Sequence, residues 1–182
     1  MFSSNSSQVS QDAVFIEDTF STYLYTGNAS TNQIVNGIDL STKGGLIWLK
    51  GRTGASAHGL MDTARGLGNI LSTNDTQGQT NYSDLLNSFN TNGFTLGSDA
   101  TSGYVWNGNP NPYVSWTFRK QTKFFDIVTY TGTGAARTIA HNLGSVPGCI
   151  IVKRTDTAAS WAVYHQSLAN TEYLLLNSTA GK

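Results

Sequence analysis

Residues 20–28 read FSTYLYTGN, and residues 125–133 read FDIVTYTGT. Tyr25-Thr26-Gly27 aligns with Tyr130-Thr131-Gly132 at an offset of 105, and Ile34 then matches Ile139. After a two-residue gap, GGLIWLKGRT (44–53) matches PGCIIVKRTD (147–156) at an offset of 103, and AHGLMD (57–62) matches SWAVYH (160–165). ILST (70–73) roughly matches LLNS (175–178). Four segments that keep their order with small shifts are a duplication, and a duplication means that one structural unit is used twice.

The copies are unequal. The first runs on through FNTNGFTLGS (89–98) and PYVSWTF (112–118), for which the second has no counterpart in the 182 residues. The expected organisation is a polar arm over residues 1–18, a complete unit over 19–121 and a partial unit over 122–182. A half unit exposes strand edges, which natural sheets keep covered. A continuing polypeptide, a neighbouring chain or the first unit must then shield them. The first dozen residues are Ser-rich and aperiodic, so a flexible arm is expected there.

Composition decides the kind of unit. Ser (19), Thr (23), Asn (16) and Gly (19) dominate, while Glu occurs only as Glu17 and Glu172, so strong helix formers are scarce. Short segments rich in β formers are separated by turn residues at the spacing of a sandwich or barrel. GLIWLKG (45–51) is apolar on both faces up to Lys50, as a central strand would be. YVSWTF (113–118) alternates Tyr113, Ser115 and Thr117 against Val114, Trp116 and Phe118. Asn92-Gly93 signals a hairpin. KFFDIVTYT (123–131), CIIVKR (149–154), WAVYH (161–165) and EYLLLN (172–177) continue the strand pattern. SDLLNSF (83–89) predicts one or two helical turns with Ser83 as N-cap. The fold class expected is all-β: an antiparallel, jelly-roll-like sandwich, one complete unit plus a partial second.

Eleven basic and eleven acidic residues give no net charge, which argues against a nucleic-acid partner held through its phosphates. No apolar run approaches the length of a membrane helix, so no membrane insertion is expected. The first residues lack the basic and apolar regions of a secretory signal. Cys149 is the only cysteine, so no disulfide framework or Cys-based zinc cluster forms. Inside the apolar run GCIIV it reads as a buried, inert thiol. His58, His141 and His165 show no ligand spacing and read as strand histidines. Glycosidases need paired carboxylates, but Glu17 and Asp18 are adjacent and would face opposite sides of a strand. No catalytic residue, metal site or cofactor is expected.

The loop GYVWNGNPNPY (103–113) sets Tyr104, Trp106 and Tyr113 among Asn, Gly and Pro. Flat rings stack on sugar faces and amides bond hydroxyls, so these three residues are the candidate glycan site. The competing reading is an inter-strand turn with Trp106 plugging the sandwich edge. Arg119, Lys120 and Lys123 form a basic run at the junction of the units, a candidate docking point for an acidic partner against the default of solvated charge. Sequons at Asn5, Asn28, Asn74, Asn81 and Asn177 read as a by-product of composition.

The segments FSTYLYTGN, GGLIWLKGRT, FNTNGFTLGS, VSWTFRKQTKFFDIVTYTGTG, RTIAHNLGSVPGCIIVKRTD and SWAVYH resemble a repeated module of tail-fibre and other virion structural proteins of tailed bacteriophages. The likeness covers about residues 20–179. Such modules are similar, at the level of fold, to the concanavalin A-like lectin/glucanase sandwich. The resemblance implies a place in the virion, in the tail, with other virion proteins as partners. It also implies homotrimeric assembly and contact with a host-surface receptor or glycan. The function expected is a non-enzymatic virion structural protein, a tail-fibre component; a lectin-like carbohydrate-binding module or a capsid decoration protein is the alternative. The matching residues are strand cores and turns, so no functional residue carries over.

Overall fold

The computed structural model describes residues 13–100 and 105–181. The first twelve residues of the expected arm, the Asn5 sequon and Tyr104 lie outside them. A 3-10 turn, Ile16–Asp18, precedes the strands. These are β1 (Phe20–Thr26), β2 (Asn32–Val35), β3 (Gly45–Gly51), β4 (His58–Asp62), β5 (Asn69–Ser72), β6 (Thr80–Asn81), β7 (Leu86–Asn90), β8 (Gly93–Leu96), β9 (Pro112–Arg119), β10 (Cys149–Val152), β11 (Ala162–His165) and β12 (Leu174–Leu175). All pairings are antiparallel. The protein is an all-β sandwich. A six-stranded sheet in the order β1-β9-β3-β4-β5-β6 packs on a three-stranded sheet β2-β8-β7, and β10-β11-β12 form a third.

Strand parity determines the core. Ile47 and Leu49 of β3, Met61 of β4, Ile70 of β5 and Tyr25 and Tyr113 of β1 and β9 meet Ile34, Phe94, Leu96 and Leu86 of the facing sheet. Ile47, Leu49, Met61 and Phe94 are wholly buried, and each such side chain contributes about 1.5–3 kcal/mol relative to its exposed state. In β9 the alternation holds, but the face on the core side is Tyr113, Ser115 and Thr117. Central placement explains this: β9 is flanked by β1 and β3, and its other face is covered by rings. Phe118 packs against Phe20 (4.8 Å) and Phe125 (5.3 Å), and Trp116 meets Trp48 edge-on at 6.0 Å. Thr117 accepts a hydrogen bond from Asn36 Nδ2 (2.8 Å), which satisfies its hydroxyl inside the sandwich.

The stretch 83–89 is not helical. Leu86–Asn90 is β7, joined to β8 by a two-residue turn, Thr91-Asn92, with Asn90 opposite Gly93. Gly93 has φ +146° and its Cα lies against the Ile34 carbonyl, 2.0 Å from where a Cβ would be. Pairing with β8 and burial of Leu85 and Leu86 outweigh the weak helical tendency of the segment.

The duplication is present as strand pairing. The β3–β4 pairs Leu46↔Asp62, Ile47↔Met61, Trp48↔Leu60 and Leu49↔Gly59 recur as the β10–β11 pairs Cys149↔His165, Ile150↔Tyr164, Ile151↔Val163 and Val152↔Ala162, each residue 103 positions on. The β4–β5 pairs Gly59↔Ser72 and Leu60↔Leu71 recur as Ala162↔Leu175 and Val163↔Leu174 at the same offset. This corrects the register of the last match: Ser72, rather than Ile70, corresponds to Leu175.

Two other expectations fail for one reason. Residues 126–148 contain no strand, although KFFDIVTYT reads as one. In the first unit β1 pairs only with β9, and β2 only with β8. The described residues 122–181 hold no counterpart of β8 or β9, so within them the copies of β1 and β2 find no ladder partner. The copies of β3, β4 and β5, which pair with one another, do form. Cys149 is exposed rather than buried, because the edge of β10 that would correspond to the β3–β9 interface is uncovered.

Candidate functional site

The loop 105–113 folds inward. Trp106 is 1% exposed and Tyr113 2%. The Trp106 indole N–H donates to the Ala57 carbonyl (2.9 Å), and its ring lies against Gly59, where a Cβ would come within 2.3 Å of it. Tyr25 stacks on Tyr113 at 5.3 Å and donates its hydroxyl to the Trp106 carbonyl (2.7 Å). Burial, with Tyr113 and Asp99 adding to it, pushes the Tyr25 phenol well above its ordinary value. Neither ring offers a face to a sugar, so the expectation that Trp106 and Tyr113 are stacking platforms is corrected: both belong to the core. Tyr104 is outside the described residues.

Asn107, which carried no weight in the sequence, is the hub of this loop. Buried to 1% exposure, its Nδ2 donates to the carbonyls of Ser30 and Gly97, each at 2.6 Å. Its Oδ1 accepts from the Asn28 backbone N–H (3.1 Å) and from Asn32 Nδ2 (3.0 Å). One amide thus ties the loop to the β1–β2 connection, to β2 and to the residue after β8. Asp99 caps it by accepting the Trp106 and Asn107 backbone N–H groups.

The basic run is divided. Lys120 pairs with Asp126 at 2.9 Å. Partial burial of Asp126 works to raise its carboxyl, but hydrogen bonds from Lys120, Asn142 N–H and Ile127 N–H and the Lys120 charge hold it below its ordinary value. Arg119 donates to Gln121 (3.0 Å), and Lys123 is exposed. Of the candidate docking residues, only Lys123 presents its charge freely to solvent.

His165 takes the place of Asp62 in the repeat. Asp62 Oδ1 accepts the Ala64 backbone N–H (3.0 Å), and His165 Nδ1 accepts that of Ser167 (3.2 Å), its counterpart. Asp62 also binds Arg65 Nε at 2.6 Å in a buried ion pair. His141 Nδ1 accepts the Leu143 N–H. Among the described residues no three His, Cys, Asp or Glu side chains converge as metal ligands, and no helix is long and apolar enough to cross a membrane.

The two copies meet at a seam. Trp161, 4% exposed, packs on Leu60 and Leu71 with Leu46 beside it, and its indole donates to the Ser72 carbonyl (2.9 Å). Backbone bonds Gln79 N–H to Thr155 O (2.7 Å) and Ala159 N–H to Thr76 O (2.8 Å) run alongside. Beside Trp161 an open cleft of about 730 Å³ is lined by Trp48, His58, Asn74, Leu176, Asn177 and Thr179, among others. Asn74 Oδ1 accepts the His58 N–H and Asn177 Oδ1 the Trp161 N–H, both at 2.8 Å. These are the same bond 103 residues apart. Two of the sequons therefore mark a repeated structural asparagine, a signal legible in the sequence once the offset is applied.

A family model described as a domain of unknown function, DUF7483, matches residues 17–182. The chain belongs to the DUF7483 family. The match takes in both copies of the DUF7483 chain's repeated sheet and the seam between them. No curated protein and no solved structure matches it.

Proposed function

We propose that this protein is a non-enzymatic structural component of a bacteriophage virion, a tail-fibre part that displays β-sandwich units toward the host surface. The observation that carries the reading is the seam: a second copy of the β3-β4-β5 sheet, pair for pair, locked to the first through Trp161 and backbone hydrogen bonds. Repeated units that each pack on the next build extended shafts and surfaces. The resemblance of the repeated segments to virion modules supplies the setting. A chain of zero net charge, rich in hydroxyl and amide side chains, suits display outside a cell. The test is mass spectrometry of purified phage particles followed by gold-labelled antibody imaging. The chain is expected in the particle, at the tail; its absence from purified particles overturns the reading, and label on the head favours capsid decoration.

Carbohydrate binding, if the chain performs it, belongs to the seam cleft rather than to the loop 103–113. The cleft combines an indole, amides and hydroxyls, the chemistry that sugars meet. A glycan array with the native chain and with Ser178→Trp, which fills the exposed rim, tests this. Loss of signal in the variant supports it, and unchanged binding removes the cleft.

A further inference from the structure

The seam brings two copies of one asparagine to a single cleft. Asn74 of the first copy and Asn177 of the second, equivalent positions in the repeat, both line it. Each spends its oxygen on the fold. Asn74 Oδ1 accepts the His58 N–H (2.8 Å) and the Ser72 hydroxyl (3.1 Å), and Asn177 Oδ1 accepts the Trp161 N–H (2.8 Å). The amide nitrogens are left as donors, and neither has an acceptor among the described residues. Two further groups of the cleft have no partner there. Thr73 is 2% exposed with its hydroxyl unbonded, and the Trp48 indole N–H is buried and unbonded as well. Buried polar groups of native proteins are paired with protein or with something bound, so each of these is a place for an oxygen from outside the fold.

The balance of donors and acceptors selects the ligand. An indole N–H and an amide NH2 only donate, whereas a sugar hydroxyl both gives and accepts and a carboxylate only accepts. A site for neutral hydroxyls therefore mixes acceptors with donors, but here both amide oxygens are occupied. No Asp or Glu lines the cleft among the described residues. Lys50 stands opposite His58 in the β3–β4 ladder, and Asp75, next along from Asn74, acts on Lys153. We propose that the seam cleft is a site for an acidic saccharide, whose carboxylate is received by the amide nitrogens of Asn74 and Asn177 and the Trp48 indole N–H, with the Thr73 hydroxyl as a further donor. This rests on the reading that carbohydrate binding belongs to the cleft, and narrows it to sugars of the uronic-acid kind. Hydrogen bonds to a charged acceptor are the stronger ones, so the charge carries the selectivity.

An aspartate at either asparagine keeps the bond to the backbone N–H and replaces the donor NH2 with a charged oxygen. A glycan array carrying uronic-acid glycans beside their own methyl esters is probed with the native full chain and with Asn74→Asp, Asn177→Asp, Trp48→Phe and Ser178→Trp. The native chain is expected to retain each acid about tenfold better than its ester, and the aspartate variants to lose that preference. Trp48→Phe, which keeps a ring and removes only the N–H, should weaken retention of the acids without touching the seam asparagines. Equal retention of acid and ester overturns the proposal; if Ser178→Trp abolishes that retention, the cleft still binds sugar and only the acidic assignment falls. Aspartate variants that hold the acids as well as the native chain overturn it too. Inorganic sulfate that displaces the acids at equal concentration overturns the saccharide assignment in favour of a plain anion site. Retention of no glycan overturns both readings.

Discussion

Asn107 holds the loop 105–113 to the β1–β2 connection, to β2 and to the end of β8 through bonds to Ser30, Asn28, Asn32 and Gly97. Truncating it strands the buried Gly97 carbonyl and removes the partners of the more exposed Ser30 carbonyl and Asn28 N–H. Asn107→Ala is expected to cost about 1–3 kcal/mol, the cost of one stranded buried group. A lower urea midpoint with an unchanged m-value checks it. His58 carries the pH dependence nearest neutrality. Burial, then the Lys50 charge, lower its pKa in the fold from the ordinary 6.5. The unfolded chain therefore binds more protons than the folded one as pH falls through 6.5, and stability falls with it. His58→Gln should flatten a plot of melting temperature against pH between about 5 and 7; an unaltered slope places the titration elsewhere. Asp126, lowered in the fold, adds a second loss at more acid pH: its contribution is full above the unfolded value of 3.8 and disappears as pH drops through the lower folded value. Little of this was legible in advance. Trp106 and Tyr113 read equally well as sugar platforms or as core, because aromatic residues in an Asn-Gly-Pro loop carry no mark of direction. Gly59, which makes room for the indole, sits 47 residues away in the chain.

Elements formed where their partners exist. β3, β4 and β5 and their copies pair locally with one another; the offset of 103 revealed the β3 and β4 copies, while the β5 copy was read two residues out of register. The β1 and β2 copies had the same strand-like composition yet stay irregular, since strand pattern states a capacity that only a neighbour realises. β7 teaches the converse: a segment with helical leanings becomes a strand when a hairpin partner is at hand. The turn after β4 depends on the buried Asp62–Arg65 pair and on the two N–H groups that Asp62 accepts. Asp62→Ala should cost about 3 kcal/mol, because Arg65 is left charged, buried and without its carboxylate. Differential scanning calorimetry checks this, and a change below about 1 kcal/mol, the worth of an exposed pair, would contradict it.

At the scale of the whole molecule, one indole joins the copies. Trp161→Ala removes the packing on Leu60 and Leu71 and the bond to Ser72. A buried tryptophan truncated to alanine typically costs about 3–5 kcal/mol, and here the loss falls on the second sheet. Limited proteolysis should then cut within residues 122–182 while the sandwich over 20–119 survives; equal loss of both would show a single cooperative unit. A second sheet copies the first in register, and its β10 pairs only with β11 among the described residues. Residue-resolved hydrogen exchange of the native chain tests this most directly. Slow exchange is expected at successive amides of β3, which is paired on both sides. Along Cys149–Val152 slow and fast amides should alternate, and exchange should be fast through 126–131. Uniform protection of β10, or strand-like protection across 126–131, would contradict it.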